Sequence, residues 1–583
     1  MATQQAAMIT AVIMVNGPED EPLDWHAINW RVIEEDVRRL RQRIFTASQV
    51  GDLKRVRSLQ KLMLRSRANT LLSVRRVTEV NAGRKTAGVD GKVVLFSSVK
   101  AELADWVQHN AEPWQARPVR RVYIPKKGGK RRPLGIPVIV DRVLQARVVN
   151  ALEPEWEARF ESRSYGFRPG RGCHDAIEAI FNVARGANPR RQWVLDADLA
   201  AAFDRIDHDH LLGMLGMFPA RGLIAGWLKA GVVEQGRFAP TEEGTPQGGV
   251  VSPLLLNVAL HGMEQAAGVR YRMTGVDAGH TERGCPVVIR YADDLVALCH
   301  TRDEAEQVKA RLAEWLAPRG LTFNEDKTRI VTLDEGFDFL GFTVRRQSGK
   351  LLVKPSKAAL RRIRERLRTE MRALRGANAA AVLGRLNPII RGWAAYYRTV
   401  VSSEAFNALD SYLWRLTYKW AKFGHANKSK HWVVNRYFGV FNRSRRDRWV
   451  FGDRDSGAYC TKFAWTGIVR HRMVKGGASP DDPALAQYWA DRRRKGVPPP
   501  LDQLSLRLLQ TQAGRCPYCG DLLLYAEHPP QTPTEWEQWV RVTGKALRKQ
   551  SLVFRKRDGS GKISSLRLIH ARCRGGPTAV AMT

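Results

Sequence analysis

The chain has 583 residues, 44% of them apolar, which is enough to bury the cores of roughly three to five structural units. Lys and Arg total 95 against 58 Asp and Glu, and the resulting net charge of +37 is spread along the whole chain. A positive field of this size favours a polyanionic partner. No apolar stretch approaches the roughly 20 residues that span a bilayer. The cysteines number seven, and four of them are scattered without pattern, which predicts a reduced, cytoplasmic protein, associated with ribonucleoprotein or nucleoid.

The hydrophobic pattern divides the chain into successive regions. Residues 24–82 predict basic amphipathic helices, and residues 117–345 alternate short strand-like and helical runs. Residues 355–375 predict a strongly basic helix. Residues 423–475 are basic, aromatic and irregular, and the prolines at 498–500 precede a last small unit.

An acidic turn between two apolar runs is the most informative local feature. Tyr291-Ala292-Asp293-Asp294 predicts a β-hairpin with its acids at the tip. Taken alone, this string is equally compatible with a solvated acidic turn. Adjacent carboxylates repel each other, however, and Mg²⁺ is the cation that takes one or two carboxylates and completes its shell with water and phosphate oxygens.

Asp198 ends a second strand-like run, residues 193–199. If the two strands lie side by side, three carboxylates surround two Mg²⁺ ions about 4 Å apart. Such a pair suits in-line phosphoryl transfer, because one ion activates the attacking hydroxyl and the other stabilises the leaving pyrophosphate.

The order of these and further motifs resembles the reverse transcriptases of bacterial group II introns, also called maturases. The resemblance covers nearly the whole chain. Its other motifs are Gly88-Val89-Asp90-Gly91, Ile124-Pro125-Lys126, Arg132-Pro133-Leu134-Gly135-Ile136-Pro137, Tyr165-Gly166-Phe167-Arg168-Pro169-Gly170, Phe203-Asp204-Arg205-Ile206-Asp207-His208, Gly244-Thr245-Pro246-Gln247-Gly248-Gly249, Asn324-Glu325-Asp326-Lys327-Thr328 and Phe339-Leu340-Gly341-Phe342.

The resemblance implies a role for each catalytic acid. Asp198, Asp293 and Asp294 match the family's catalytic Mg²⁺ ligands, and the backbone carbonyl of Leu199 is an additional candidate ligand. The family commonly has Lys two residues after the first acid, where this chain has Ala200. Because that side chain is not a metal ligand, we expect activity to be retained.

The resemblance also implies a nucleotide and primer site. Lys126 and Arg132 match residues that hold the incoming triphosphate, although either alone could be a solvated surface cation. Phe203 matches the aromatic ring that excludes a 2′-hydroxyl, with an ordinary core phenylalanine as the alternative. Gln247 matches the residue near the nucleotide and primer end. Lys327 is a candidate for the primer phosphate or triphosphate.

Residues 386–398 resemble the helical thumb, or X domain, of the same proteins, which tracks the template–primer duplex and binds intron RNA. Arg391, Arg398 and Lys419 are the RNA-binding candidates, since interleaved cations and aromatic rings suit phosphate contacts and base stacking. Trp393 and Tyr396 are expected in the core. The basic stretch 423–475 corresponds to the family's DNA-binding segment.

Two cysteine-containing pairs predict a structural zinc site near the end of the chain, with Cys516, Cys519, His570 and Cys573 as ligands. The setting resembles the HNH endonuclease of many group II intron proteins, with Glu527 and His528 as a possible nuclease remnant. Ser565 and Arg574, however, stand where the family has Asn and a metal-binding His. Nuclease activity is therefore doubtful.

The predicted fold class is α+β: a right-hand polymerase with an antiparallel sheet in its fingers and palm, a helical thumb, and a small zinc-bound HNH-like domain. The predicted domains are 1–105 (helical extension of the fingers), 106–345 (fingers and palm), 346–445 (thumb), 446–505 (basic DNA-binding region) and 506–583 (zinc domain).

The expected function is RNA-directed DNA synthesis for a group II intron, with assistance to splicing and retrohoming. The expected partners are intron RNA, an RNA template with a DNA primer, and target DNA. The alternatives are a splicing factor with a vestigial polymerase, an RNA-dependent RNA polymerase disfavoured by Phe203, and a reverse transcriptase recruited to phage defence.

Overall fold

The protein was analysed as a computed structural model. It describes residues 23–110, 113–125, 131–186, 189–245, 248–272, 274, 279, 281–442, 444–495, 508, 511–512, 516–517, 523, 530–548, 552–556, 566–570 and 573.

The helices follow the basic and apolar periodicities of the sequence. In chain order they are α1 (Trp30–Gln49), α2 (Leu53–Arg65), α3 (Arg67–Arg75), α4 (Ser97–Asn110), α5 (Ile139–Glu157), α6 (Cys173–Ala184), α7 (Ala202–Arg205), α8 (His208–Leu215), α9 (Arg221–Lys229), α10 (Ser252–Ala259), α11 (Met263–Ala266), α12 (Arg302–Leu316), α13 (Lys357–Ala373), α14 (Ala379–Tyr397), α15 (Ser403–Gly424), α16 (Lys430–Tyr437), α17 (Ala486–Lys495) and α18 (Pro533–Arg548).

The strands are short and mostly antiparallel. They are β1 (Val119–Pro125), β2 (Arg131–Ile136), β3 (Trp193–Asp198), β4 (Val232–Glu234), β5 (Arg237–Ala239), β6 (Val287–Tyr291), β7 (Asp294–Cys299), β8 (Arg329–Thr332), β9 (Phe337–Phe339), β10 (Phe342–Gln347), β11 (Lys350–Pro355), β12 (Phe438–Gly439), β13 (Val450–Phe451), β14 (Leu552–Lys556) and β15 (Leu566–His570).

The chain divides into two compact units. The first contains residues 1–156 and 211–255, and the second contains residues 157–210 and 256–583. This division follows compactness alone, so the five domains expected from the sequence stay predictions.

In the first unit, helices α1 to α4 pack on one another, and a separate sheet has the strand order β2-β1-β4-β5. Helix α5 is buried around most of its circumference, so its polar side chains need internal partners. Asp141, 1% exposed, accepts the indole N–H groups of Trp114 at 2.7 Å and Trp227 at 2.8 Å. These bonds satisfy the buried carboxylate and connect α5 to α9 and to the segment that contains Trp114.

The second unit contains the sheet that places the catalytic candidates. Its strand order is β6-β7-β3-β8, and every neighbouring pair is antiparallel. Helix α6 packs against β6, and α12 packs against β3 and β7. All five residues from Leu295 to Cys299 are buried, as the apolar run in the sequence predicts for a central strand.

Beyond this sheet, the second unit is mainly helical. The sheet β11-β10-β9 precedes α13, whose apolar residues are buried and whose cations lie on the opposite face. The predicted basic helix is thus confirmed. The stretch 423–475 is less irregular than the sequence indicates, because it contains α16 and the β12–β13 pair.

Among the described residues, no helix combines the length and apolar character that crossing a membrane requires.

Candidate active site

The acidic turn forms the predicted β-hairpin. Tyr291 at the end of β6 pairs with Asp294 at the start of β7, so Ala292 and Asp293 form a two-residue turn. Ala292 has a φ of 56°, in the left-handed region that costs a residue with a Cβ some strain. The surrounding chain must therefore hold the turn in place.

Gly166 holds the turn by close backbone contact. A Cβ added there would lie only 2.3 Å from the backbone nitrogen of Ala292, so this position accepts only glycine without rearrangement. The carbonyl of Gly166 also accepts a hydrogen bond of 2.9 Å from the side-chain amide of Asn257. The backbone of Gly166, and not a side chain, therefore provides this motif's contact with the hairpin.

The buried side chain of Arg290 also holds this turn through hydrogen bonds. Arg290 is 3% exposed and donates to the side chains of Ser164 and Asn257, at 2.7 and 3.0 Å, and to the carbonyl of Ala292 at 3.1 Å. Burial lowers the pKa of Arg290 to about 10, although the charge of Glu161 opposes this change. A charge buried this deeply is tolerated only with such partners.

Asp198 lies directly across from the hairpin. It ends β3, where it pairs in register with Asp294 of β7. The backbone N–H of Leu199 donates to the carbonyl of Asp293 at 3.3 Å. The sheet register therefore brings Asp198 beside the acidic turn, although 95 residues separate it from Asp293 in the sequence.

The charge on these acids is only partly balanced by protein cations. The ammonium of Lys327 lies 2.6 Å from Oδ2 of Asp198, and the Lys327 side chain is 58% exposed. Burial raises the pKa of Asp294 well above its usual range, and the charges of Asp293 and Asp198 add to this rise. A cation at this place would relieve that repulsion.

The oxygen donors fit Mg²⁺, which prefers hard carboxylate ligands. Among the described residues, no group of three or more His, Cys, Asp or Glu side chains lies close enough together to hold a metal ion. Asp198 instead pairs with Lys327. Reverse transcriptases are generally Mg²⁺-dependent.

Two aromatic rings lie near the end of β3. Phe203, half-buried in α7, packs edge to face against Phe167, with 6.1 Å between the ring centroids. Phe167 is 47% exposed and has a φ of 60°. Phe203 is thus neither fully buried in the core nor fully exposed.

The other nucleotide-site candidates belong to the first unit. Arg132 lies in β2, is exposed, and pairs across the strands with Ile124. Lys126 and Gln247 lie outside the described residues. The loop that follows Gln247 is anchored, because Val250 donates its backbone N–H to the side chain of Gln145 at 2.7 Å.

The thumb candidates differ in exposure. Trp393 and Tyr396 are 4% and 3% exposed, which confirms the expectation that they are core residues. Arg398 is half-buried and donates to the carbonyl of Gly467 at 3.1 Å, so it stabilises the fold locally. Arg391 is also half-buried, whereas Lys419 is exposed on α15.

Little of the predicted zinc and nuclease site falls within the described residues. Cys516 and Cys573 are each buried. Cys519, Glu527, His528 and the side chain of His570 lie outside the described residues. The zinc site therefore stays a prediction.

Three family models match successive parts of the chain. They are the N-terminal domain of reverse transcriptase at residues 25–107, the reverse transcriptase (RNA-dependent DNA polymerase) at 124–344, and the group II intron maturase-specific domain at 360–438.

Curated relatives extend this similarity. Protein YkfC of Escherichia coli is 34% identical over 320 residues, which cover 50% of this chain and 84% of the relative. The group II intron-encoded protein LtrA of Lactococcus lactis is 35% identical over 223 residues, 37% of this chain and 35% of LtrA. Maturase-like protein 1 of Euglena gracilis is 27% identical over 394 residues, 64% of this chain and 80% of the relative.

The mixed α+β architecture and the matched reverse-transcriptase region define a template-directed nucleic-acid polymerase. With the maturase-specific domain, the chain belongs to the reverse transcriptases encoded by group II introns. It is therefore an RNA-directed DNA polymerase with a domain that assists intron splicing.

Arg290 and Asn257 support the hairpin, but neither role was predicted from the sequence. The signal for Arg290 was present, because it is the one charged residue between Val287 and Tyr291. No sequence signal indicated its partners, since Ser164 and Asn257 come from distant segments.

Gly166→Ala should displace the acidic turn, because the new methyl group would collide with the backbone of Ala292. We expect primer extension to fall at least about tenfold, since overpacking typically costs about 1–3 kcal/mol and would displace the candidate catalytic acids. Steady-state primer extension measures the effect. The control is Gly213→Ala, whose added Cβ meets open space. Parental activity in folded Gly166→Ala would contradict the role given to this contact.

Proposed function

We propose that Asp198, Asp293 and Asp294 form the polymerase active site, where a primer 3′-hydroxyl attacks the α-phosphate of an incoming deoxynucleotide on an RNA template. The observation that carries this proposal is the cross-strand pairing of Asp198 with Asp294 at the tip of a buried sheet. The three acids thus approach one another on rigid backbone, which suits catalysis by positioning.

A bound pair of Mg²⁺ ions would activate the hydroxyl and neutralise charge on the departing pyrophosphate. Asp198, Asp293 and Asp294 would hold these ions, together with the carbonyl of Leu199. Lys327 balances Asp198, and its exposed stem allows its ammonium to contact a primer phosphate or the triphosphate instead.

The nucleotide site follows from the same proposal. Lys126 and Arg132 would bind the triphosphate, and Gln247 would contact the nucleotide and primer end. Phe203 would exclude a 2′-hydroxyl; its half-buried ring, packed on Phe167, supports that role. Selection against ribonucleotides distinguishes this enzyme from an RNA-dependent RNA polymerase.

Asp293→Ala should abolish primer extension on an RNA template while leaving RNA affinity nearly unchanged, because the carboxylate acts on the reaction and not on the duplex. Primer extension and filter binding on the purified chain measure the two properties. Asp303→Asn, an exposed acid in the first turn of α12, is the charge-matched control. If Asp293→Ala still extends primers, the acidic turn is not the metal site.

For nucleic acid binding, we propose that the thumb (346–445) binds intron RNA and the basic region (446–505) binds target DNA, so that splicing is followed by target-primed cDNA synthesis. The net charge of +37 and the exposed cations of α13 support this assignment. Lys419 is a stronger contact candidate than Arg398, whose guanidinium already bonds to the chain. Arg391 is half-buried and stays a candidate. The remaining boundaries, 1–105, 106–345 and 506–583, are part of this proposal.

Lys419→Gln should weaken binding of intron RNA and reduce the slope of log affinity against log salt by about 0.7–1, the value for one lost phosphate contact. Titrations over a range of salt concentrations measure the slope. Lys309→Gln controls for the lost charge, because Lys309 lies on α12 and is paired with Glu325. An unchanged slope would show that Lys419 does not contact phosphate.

For the C-terminal region, we propose that Cys516, Cys519, His570 and Cys573 hold a structural zinc ion in an HNH-like unit. The burial of Cys516 and Cys573 and the β14–β15 hairpin support the proposal. Glu527 and His528 would then be a nuclease remnant without cleavage activity, because Arg574 carries a charge that repels a catalytic cation.

The purified chain should contain about one zinc ion, and Cys573→Ser should lose it, because a structural site needs all its ligands. Elemental analysis by mass spectrometry measures the metal. Cys285→Ser, another buried cysteine, should retain the zinc. Equal zinc in both variants would exclude Cys573 as a ligand.

A further inference from the structure

Helix α18 lies beyond the matched family regions, which end at residue 438, yet it packs closely on thumb helix α14. The contact centres on Gly392. A Cβ added there would lie 2.6 Å from the backbone nitrogen of Glu537 and 2.8 Å from its Cα. Because the backbone of α18 lies this close, α14 cannot accommodate a side chain at residue 392 without rearrangement.

Glu537 extends the contact to a third helix. It is 4% exposed, and its carboxylate lies 2.6 Å from a guanidinium nitrogen of Arg366 on α13 and 2.6 Å from one of Arg541 on α18. A buried carboxylate between two guanidinium groups fixes the position of both helices, since its charge cannot be left without partners.

Gln531, just before α18, reaches the start of α6. Its side-chain oxygen accepts the backbone N–H of Cys173 at 2.7 Å, and its carbonyl accepts the thiol at 3.3 Å. A Cβ added at Gly172 would lie 2.5 Å from the same side-chain oxygen. The segment is therefore seated tightly against α6.

Helix α6 in turn packs on β6, the strand that leads into the acidic turn. Tyr291, at the end of this strand, and Trp536, on α18, are both partly buried against the hydrophobic cluster that contains Cys173 of α6. Residues of α6, of α18 and of the hairpin strand therefore share one hydrophobic cluster.

We propose that the segment 531–541 is a working part of the polymerase: Gln531 and Glu537 are positioning residues that hold thumb helices α13 and α14 against α6, behind the catalytic hairpin. This inference rests on the proposed polymerase function and extends it. A thumb held in this way keeps the duplex aligned with the catalytic acids, so the segment determines how far synthesis proceeds before the enzyme dissociates.

The test compares two glycines of one helix in the full-length chain. Gly392→Ala forces α18 away from α14, whereas Gly384→Ala places its methyl group in open space. Primer extension with a competitor trap gives the product length per binding event, and single-nucleotide addition gives kcat and KM for template–primer. We expect product length to fall about tenfold in Gly392→Ala and to stay at the parental value in Gly384→Ala.

Two gentler variants keep the test decisive if Gly392→Ala folds poorly. Gln531→Ala removes the anchor on α6, and Glu537→Gln removes the charge but keeps the shape. With active-site titration to correct for misfolded enzyme, both should shorten products and raise KM for template–primer while leaving kcat for single addition near the parental value.

Parental product lengths in folded Gly392→Ala, Gln531→Ala and Glu537→Gln would overturn the proposal. An equal loss of single-nucleotide addition and of product length would also overturn it, because that result indicates a general loss of active enzyme and not a weaker hold on the template–primer duplex. Failure of the polymerase assignment is distinguished separately, since it appears as activity in Asp293→Ala.

Discussion

One buried charge holds the acidic turn that carries two of the three candidate catalytic acids. The guanidinium of Arg290 donates hydrogen bonds to the side chains of Ser164 and Asn257 and to the carbonyl of Ala292. Ser164 and Asn257 come from segments distant in the chain, so the turn is supported by tertiary contacts as well as by its own strands. These bonds offset the desolvation of the buried charge. The left-handed conformation of Ala292 is then held by the surrounding fold and not by local preference.

Backbone geometry aligns the acids. Asp198 and Asp294 face each other because β3 and β7 pair in register, and a slip of one residue would turn one of them to the opposite face of the sheet. Since β7 is buried on both faces, its apolar run alone does not select the register. The two-residue turn fixes β7 against β6, and the pairing of β7 with β3 then places Asp198 beside Asp294.

The sequence alone predicted the hairpin and the strand that ends at Asp198 from their apolar runs, and the basic helix α13 from its strong helical period. It could not predict that Lys327 pairs with Asp198, or that Arg398 donates to the carbonyl of Gly467. A lysine or arginine that bonds within the fold cannot be distinguished in the sequence from one that is exposed to solvent. Helix α16 was missed within an aromatic stretch that lacks clear periodicity. The roles of the individual site residues rest on family resemblance, and the assays above test them.

The close approach of Gly166 to Ala292 makes the spacing of the acids a property of the main chain. Phe203, on α7, packs its ring against Phe167, which directly follows Gly166 in the chain. If Phe203 lines the nucleotide site as proposed, an engineer seeking altered sugar selectivity can vary its ring without changing the glycine contact that sets the spacing of the acids. A change at Phe167, by contrast, adjoins that contact.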